Sequence, residues 1–113
     1  MPRRAALDLV ASEDNCLYTI LVRFEWDPRK AETNLHIHGI RFAEAVTVWE
    51  DAFALTREDP DAVGEQRFVK LGLSDQANLL VVVYAHREPD IIRMLSAWRG
   101  NKRQRKVYEK DRG

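Results

Sequence analysis

The sequence predicts a small α+β domain: an antiparallel sheet, two N-terminal helices packed on it and a C-terminal helix. Apolar residues recur at helical spacing in the first half of the chain, and strand-like segments joined by tight turns fill the second half. The size agrees, because 113 residues, 45% of them apolar, suit one domain with a single core. The predicted order of elements is β-α-α-β-β-β-α.

The first strand and the two early helices have clear local signals. Residues 22–26 alternate between apolar and polar, as a short strand does. Asp27 can cap a following helix that has proline at its first position, so a helix is predicted over 28–37. Gly39 suits the left-handed position that ends it. Apolar residues at helical spacing predict a second helix over 42–49.

The second half is predicted to contain three strands and a helix. The acidic segment 51–64 contains proline and glycine and is predicted to be a long surface loop. The last helix has Asn101 as its N-cap with Gln104 three residues later, which is a capping-box arrangement. The predicted elements are strands over 65–73, 78–86 and 90–98, and a helix over 101–109.

The N-terminal segment differs from the rest of the chain. Residues 1–21 lack sustained periodicity, so they are predicted to be a poorly ordered extension, with a short helix over 4–11, before a single domain over 22–113. Acidic residues interrupt the segment, so no secretory signal is expected there. The longest apolar run, 79–85, is too short to cross a membrane, so no membrane association is expected. The lone Cys16 cannot form an internal disulfide, and a cytoplasmic protein is therefore expected.

Charge is distributed unevenly along the chain. Residues 93–113 contain eight Arg and Lys residues against two acidic ones, whereas the chain as a whole has no net charge. This asymmetry indicates an anionic partner, either nucleic acid or an acidic protein. A solvated basic tail remains an alternative on charge alone.

Several motifs together resemble one known family. They are Phe24-Glu25-Trp26-Asp27 followed by Lys30, Asn34 and His38-Gly39, then Glu65-Gln66-Arg67-Phe68, Gly72 and Leu79-Leu80-Val81-Val82-Val83-Tyr84, and finally Arg93, Ser96-Ala97, Lys102-Arg103, Arg105 and Tyr108. In this order and spacing, over residues 22–110, they resemble the BrnT family of bacterial toxins. Each motif alone has little specificity.

The resemblance implies a RelE-like fold and the toxin of a type II toxin–antitoxin system. Such a toxin would be an endoribonuclease that cleaves RNA and inhibits translation. Its implied partners are an RNA substrate and a DNA-binding antitoxin, BrnA, in a complex that could contain a toxin homodimer. Three positions depart from the family pattern: Ile37 and Trp98 replace basic residues, and Gln104 replaces a glutamate. These departures keep open an alternative, a weak or inactive module that binds antitoxin or nucleic acid without cleaving it.

Three residues are candidates for the chemistry. Metal-independent RNA cleavage needs a base, an acid and cations that hold the phosphate. With the resemblance, Arg67 and Arg93 are predicted to stabilise the phosphate from rigid strands, although each could be an ordinary exposed strand residue. Histidine is the usual residue for proton transfer near neutral pH, so His38 is predicted to transfer protons, although it could instead cap the end of its helix.

A second set of residues is predicted to bind RNA rather than to react with it. Lys30 lies one helical turn before Asn34 and two before His38. Cations of the C-terminal region could neutralise phosphates, and aromatic rings could stack on bases or pack in the core. The predicted RNA-binding residues are Lys30, Arg99, Lys102, Arg103, Arg105, Lys106 and Tyr108; Trp98 is expected to pack.

No metal or cofactor is expected. His36 and His38 form an H-x-H pair, but two helical residues at this spacing point about 200° apart and cannot share an ion. No cluster of cysteine or carboxylate residues completes a tetrahedral set. A DNA-binding regulator is a further alternative, which no helix-turn-helix pattern supports.

Overall fold

The computed structural model describes residues 3–9, 20–88 and 90–112, with side chains for 22–88 and 90–110. The described residues form β1 Arg3–Leu9, β2 Ile20–Trp26, α1 Pro28–His38, α2 Phe42–Val46, a 3-10 turn Thr47–Glu50, β3 Leu55–Glu58, β4 Arg67–Leu73, β5 Leu79–Glu88, β6 Ile91–Arg99 and α3 Lys102–Arg112. The α+β class and the predicted helices at both ends of the domain are therefore confirmed. Among these residues, no helix has the length and apolar character that a transmembrane helix needs.

The strands form one sheet in the order β1-β2-β6-β5-β4-β3. Neighbouring strands are antiparallel except β2 and β6, which are parallel. The sheet is thus mixed, and the expectation of a purely antiparallel sheet is wrong. Tight turns force antiparallel pairing only between consecutive strands. The chain between β2 and β6 is long enough to return beside β2 in the same direction.

The two faces of the sheet have different neighbours. On the closed face, α1 and α2 cover apolar side chains, and Phe24, Leu80, Val82 and Met94 are fully buried there. Because strand side chains alternate between faces, the residues between these positions project from the opposite, open face. Among the described residues, α3 covers part of the open face and packs near β4.

Helix α1 forms as its caps predict. The Asp27 side chain accepts a hydrogen bond from the backbone N–H of Arg29, and Pro28 is the first helical residue. At the other end, Gly39 has a φ of 73°, and its N–H donates to the carbonyl of Leu35. A residue with a Cβ is strained in this conformation, which explains the glycine.

Asn34 attaches α1 to the free edge of β6. Beyond Arg93, β6 lies next to α1, not β2, so its edge needs other partners. The Asn34 Nδ2 donates to the carbonyls of Ala97 and Ile40 at 2.8 and 3.0 Å, and its Oδ1 accepts from the N–H of Ala97 at 3.0 Å. The buried amide therefore bonds Ala97 as the peptide group of a neighbouring strand would.

Two predicted elements differ from the structure that is observed. The predicted loop 51–64 contains the short strand β3, which sequence reasoning missed because only Leu55 among its four residues is apolar. The predicted helix over 4–11 is wrong where the structure describes it, because residues 3–9 pair with β2 as β1. The remaining part of that prediction lies outside the described residues, and the division of the chain at residue 22 stays a prediction.

Candidate nucleic-acid interface

A row of charged residues crosses the open face. Backbone register aligns Arg67 with Ala85, Ala85 with Arg93, and Arg93 with Glu25. Directly paired residues point to the same side of a sheet, and neighbouring strands lie about 4.8 Å apart, so the Cα atoms of Arg67 and Arg93 are about 10 Å apart. Two arginine side chains at this separation can both contact one phosphate. We call these four residues the arginine row.

The arginines in and beside the row differ in their hydrogen-bond and ion-pair partners. The Arg93 Nη1 donates to the Glu25 Oε2 at 2.9 Å, and both side chains are about one-fifth exposed. The Nε of Arg87 lies 4.0 Å from the same carboxylate, and its Nη1 lies 3.8 Å from Glu65. Among the described residues, by contrast, no hydrogen bond or ion pair to the Arg67 guanidinium is found, and its Nε is buried without an acceptor. Arg67 is therefore the cation of this row that is available to an external anion.

His38 lies in a different place. It lines a groove of about 300 Å³ between α1 and β6, together with Lys30, Asn34 and Ser96. Arg29 lies at the same groove, and no carboxylate is among the described residues that line it. The structure thus brings Lys30 and His38 together, as their helical spacing predicts, whereas Asn34 is fixed to β6.

Aromatic and basic side chains extend this groove. The ring centroids of His38 and Trp98 are 5.8 Å apart, and Arg99 lies beside them. The Arg99 Nη1 donates to the Oδ1 of Asn78 at 2.9 Å, and the Nδ2 of Asn78 donates to Glu44 at 2.8 Å. A flat ring, a histidine and an oriented guanidinium form a suitable surface for single-stranded RNA.

The groove and the arginine row are separate. Trp98, which contacts His38, lies five positions beyond Arg93 on β6, or about 16 Å at the usual rise per residue. Neither Arg67 nor Arg93 lines the groove. His38 and the two arginines of the row therefore do not share a pocket among the described residues.

The basic residues of α3 are on its outer side. The exposed cations predicted to bind RNA are Lys102, Arg103, Arg105 and Lys106. Arg105 lies 3.9 Å from Glu109, one turn further along the helix. Tyr108 is different: its side chain is 2% exposed, and its hydroxyl donates to the Asp51 Oδ2 at 2.6 Å. In this fold Tyr108 attaches α3 to the domain, so its ring cannot stack on a base.

Two of the three departures from the family pattern have structural explanations. The Gln104 side chain accepts from the N–H of Asn101, whose side chain accepts from the N–H of Gln104, both at 2.8 Å. This capping box is the one predicted, and glutamine serves it as well as glutamate does. Trp98 packs against His38. Ile37 is 64% exposed, and nothing in the structure explains it.

A lysine and a tyrosine have shifted pKa values near β3. Burial lowers the pKa of Lys70 below its usual value, and the charge of Asp51 partly opposes this change. The Lys70 Nζ donates to the Thr56 hydroxyl at 2.7 Å and lies 5.1 Å from the centre of the Trp49 ring. Burial also raises the pKa of Tyr84, against the effect of its hydrogen bond with Thr56. The ammonium group of Lys70 therefore has its partners within the fold.

Sequence reasoning missed several residues of the interface. Glu25 belongs to the first motif, and its position between Phe24 and Trp26 places it opposite the core, which was a usable signal. Arg87 carried no signal, because it follows an irregularity in the pairing of β5 with β6. Among the described residues, no group of three or more His, Cys, Asp or Glu side chains could hold a metal ion.

The architecture defines a small α+β domain with a cationic open sheet face, and comparisons with known proteins place it in a family. The family model described as "Ribonuclease toxin, BrnT, of type II toxin-antitoxin system" matches residues 26–104, which is most of the chain. The chain therefore belongs to the BrnT family of ribonuclease toxins.

A solved structure agrees with this assignment at the level of the fold. The Brucella abortus ribonuclease toxin BrnT, known from a crystal structure at 1.1 Å resolution, is similar with a TM-score of 0.52 and 18% sequence identity. The similarity covers 68% of this chain and 94% of the Brucella chain. No curated protein matches the sequence.

Proposed function

We propose that this chain is a metal-independent endoribonuclease whose arginine row holds the phosphate that is cleaved. Membership in a family of ribonuclease toxins supports the reaction class. The observation that carries the assignment to the open face is Arg67, a strand-borne guanidinium with no partner among the described residues, next to Arg93. A phosphate oxygen bound to its guanidinium would supply an acceptor to a side chain that has none among the described residues.

The proposed reaction is transfer of the phosphoryl group to the neighbouring ribose oxygen. The 2′-hydroxyl loses its proton to a base, its oxygen forms a bond to phosphorus, and the bond from phosphorus to the 5′-oxygen breaks. An acid protonates that leaving oxygen, so the products are a 2′,3′-cyclic phosphate and a free 5′-hydroxyl. Arg67 and Arg93 would stabilise the charge on the phosphate oxygens as the bond forms.

The geometry supplies a base at the row, and the leaving 5′-oxygen would take its proton from water. Glu25 lies within the row, and its carboxylate could accept the 2′-hydroxyl proton once a phosphate competes for Arg93. A proton-transfer role for His38 requires instead that cleavage occur in the α1 groove, where Lys30 and Arg99 would hold the phosphate. We propose cleavage at the row, with His38, Lys30 and Trp98 binding nucleotides on one side of the cut. The cations of α3 would add electrostatic attraction to the RNA.

Cleavage of a labelled single-stranded RNA in the presence of EDTA tests this proposal. The wild-type chain should produce 2′,3′-cyclic phosphate ends, and Arg67→Ala should reduce kcat/KM by about 100-fold or more. Arg41→Ala, which removes an exposed arginine before α2, is the matched control and should cleave at the wild-type rate. His38→Ala should raise KM with little change in kcat. A loss of kcat in His38→Ala together with an active Arg67→Ala would move the cleavage site to the α1 groove.

One observation favours the alternative, a module that binds without cleaving. Glu25 already occupies Arg93, so only part of the cationic charge of the row is available to RNA. A folded wild-type chain that binds this RNA but leaves it intact would support that alternative.

A further inference from the structure

The open face also contains an apolar groove that the proposed reaction does not use. It lies between α3 and strands β3 and β4 and has a volume of about 350 Å³. Its apolar lining comes from Leu55, Val69, Leu71, Val81 and Val107. Val107 is 51% exposed although it lies on the inner side of α3, and three of the strand residues are only half-buried. The fold thus leaves apolar surface of this groove in contact with solvent.

Positive charge borders this groove. Arg57 is exposed on the β3 side. On the α3 side, the exposed Arg103 and Lys110 lie about one helical turn before and after Val107, and Glu109 is the single acidic residue among the described side chains of that helix. An apolar floor with cationic borders is complementary to a segment with apolar side chains on one face and carboxylates beside them.

This combination favours a protein over RNA as the occupant. Burying the apolar side chains of the groove under a phosphate backbone would desolvate the phosphates without providing hydrogen-bond donors to them. An amphipathic protein segment would instead bury its own apolar residues there and place its carboxylates at the cationic borders. A protein partner is also what a type II toxin–antitoxin family implies.

We propose that this groove binds an acidic amphipathic segment of the antitoxin. Val69 lies on the same strand and the same face as Arg67, two residues away, or about 7 Å. A segment seated in the groove that continues along β4 therefore reaches the free guanidinium of Arg67 with its next acidic side chain. This last step rests on the proposed function: the bound segment would inhibit the toxin by pairing with the cation that holds the phosphate.

Binding of the antitoxin encoded beside the toxin gene, measured by titration calorimetry, tests the proposal. Val107→Asp places a carboxylate at the groove and should weaken binding at least tenfold. Val63→Asp introduces the same change at a residue that is 87% exposed in the segment between β3 and β4, and should bind within twofold of wild type. Arg57→Glu, on the opposite border, should weaken binding severalfold and make it less dependent on salt. Circular dichroism of each variant verifies that it is folded.

Several results would overturn the proposal. They are equal affinity of Val107→Asp and wild type, absence of binding by wild type, and loss of RNA cleavage in Val107→Asp with antitoxin binding unchanged. A wild-type dimer that Val107→Asp converts to a monomer would show that a second copy occupies the groove. Because the calorimetric experiment contains no RNA, its result does not depend on whether the chain cleaves RNA.

Discussion

The two faces of this sheet are built from alternate residues of the same strands, yet along β2 and β6 they differ in composition. On β6, Ile92 and Met94 are buried under the helices, whereas Arg93 between them projects from the open face. On β2, Phe24 and Trp26 lie in the core, and Glu25 lies beside Arg93. Along these two strands, one face packs in the core and the other presents charge, so a shift of one residue in register would exchange the two roles.

The largest expected effect is on activity, at the open face. Arg93→Ala should abolish growth arrest on expression and reduce RNA cleavage by about 100-fold or more, because it removes one of the two guanidinium groups of the row. The free energy of unfolding should fall by only about 1 kcal/mol, since Arg87 still lies near Glu25. Thermal unfolding followed by circular dichroism measures this. If the variant does not fold, Arg93 is structural, and the division of labour between the faces is wrong.

The next effect is on stability, at the junction of α1 and β6. Asn34→Ala removes the amide that bonds Ala97 and Ile40, and leaves buried backbone groups without partners, so the free energy of unfolding should fall by about 3 kcal/mol or more. Urea unfolding measures this change. Thr33→Ala, at the exposed neighbouring position, should cost less than about 1 kcal/mol. Equal effects of the two substitutions would mean that the edge of β6 does not need Asn34.

A smaller effect is expected where β4 passes close to the core. A Cβ on Gly72 would lie 2.8 Å from the Val48 Cγ1 and 2.9 Å from the Ala54 Cβ, so Gly72→Ala should destabilise the fold by about 1–3 kcal/mol. Urea unfolding again provides the measurement. Combining Gly72→Ala with Val48→Ala should relieve part of this destabilisation, because it removes the atom nearest to the added Cβ. Full stability of Gly72→Ala alone would contradict close packing on this face.

The attachment of α3 should have a smaller effect still. Tyr108→Phe removes the hydroxyl that donates to Asp51 and should cost about 1 kcal/mol. Asp51 keeps the hydrogen bond that it accepts from the N–H of Leu73, so the loop itself should not change. Hydrogen exchange should show faster opening of α3 and unchanged protection of β5. Uniform loss of protection would show instead that α3 is part of the cooperative core.

The pH dependence of stability gives the smallest effect. The folded state lowers the pKa of Lys70, so the unfolded chain binds its proton more tightly, and stability should rise as the pH increases toward 10.5. Tyr84 acts oppositely above pH 10, because the folded state retains its proton. Urea unfolding at several pH values, compared between wild type and Lys70→Met, isolates the lysine. Identical slopes for the two proteins would mean that Lys70 is not desolvated.

Local signals predicted the fold better than the site. Asp27, Pro28 and Gly39 specify α1 because capping depends on neighbours in sequence, and the run of apolar residues 79–83 was sufficient to indicate a central strand. β3 has almost no apolar signal and exists because β4 supplies its hydrogen bonds. The parallel pairing of β2 with β6 likewise depends on tertiary contacts, which local patterns do not encode.

The same difference between local signals and tertiary contacts explains which parts of the site could be predicted. The alternation of β6 could place Arg93 opposite the core, but the position of Arg67 in the same row requires the register of three strands. Helical spacing grouped Lys30 with His38, and only the packing of α1 against β6 shows that this pair lines a groove to which neither Arg67 nor Arg93 contributes. Tyr108 was predicted to bind RNA because its ring could stack on bases, with core packing as the alternative; the structure buries it, and its hydroxyl donates to Asp51, distant in sequence.

The central claim is that RNA binds to the open face at the arginine row. The most direct test is an NMR titration with an oligonucleotide whose reactive ribose lacks the 2′-hydroxyl, so that it binds without being cleaved. The amide signals of Glu25, Arg67, Ala85 and Arg93 should shift together, and signals from the closed face should not move. Shifts confined to α1 around Lys30 and His38, with the row unchanged, would contradict the claim.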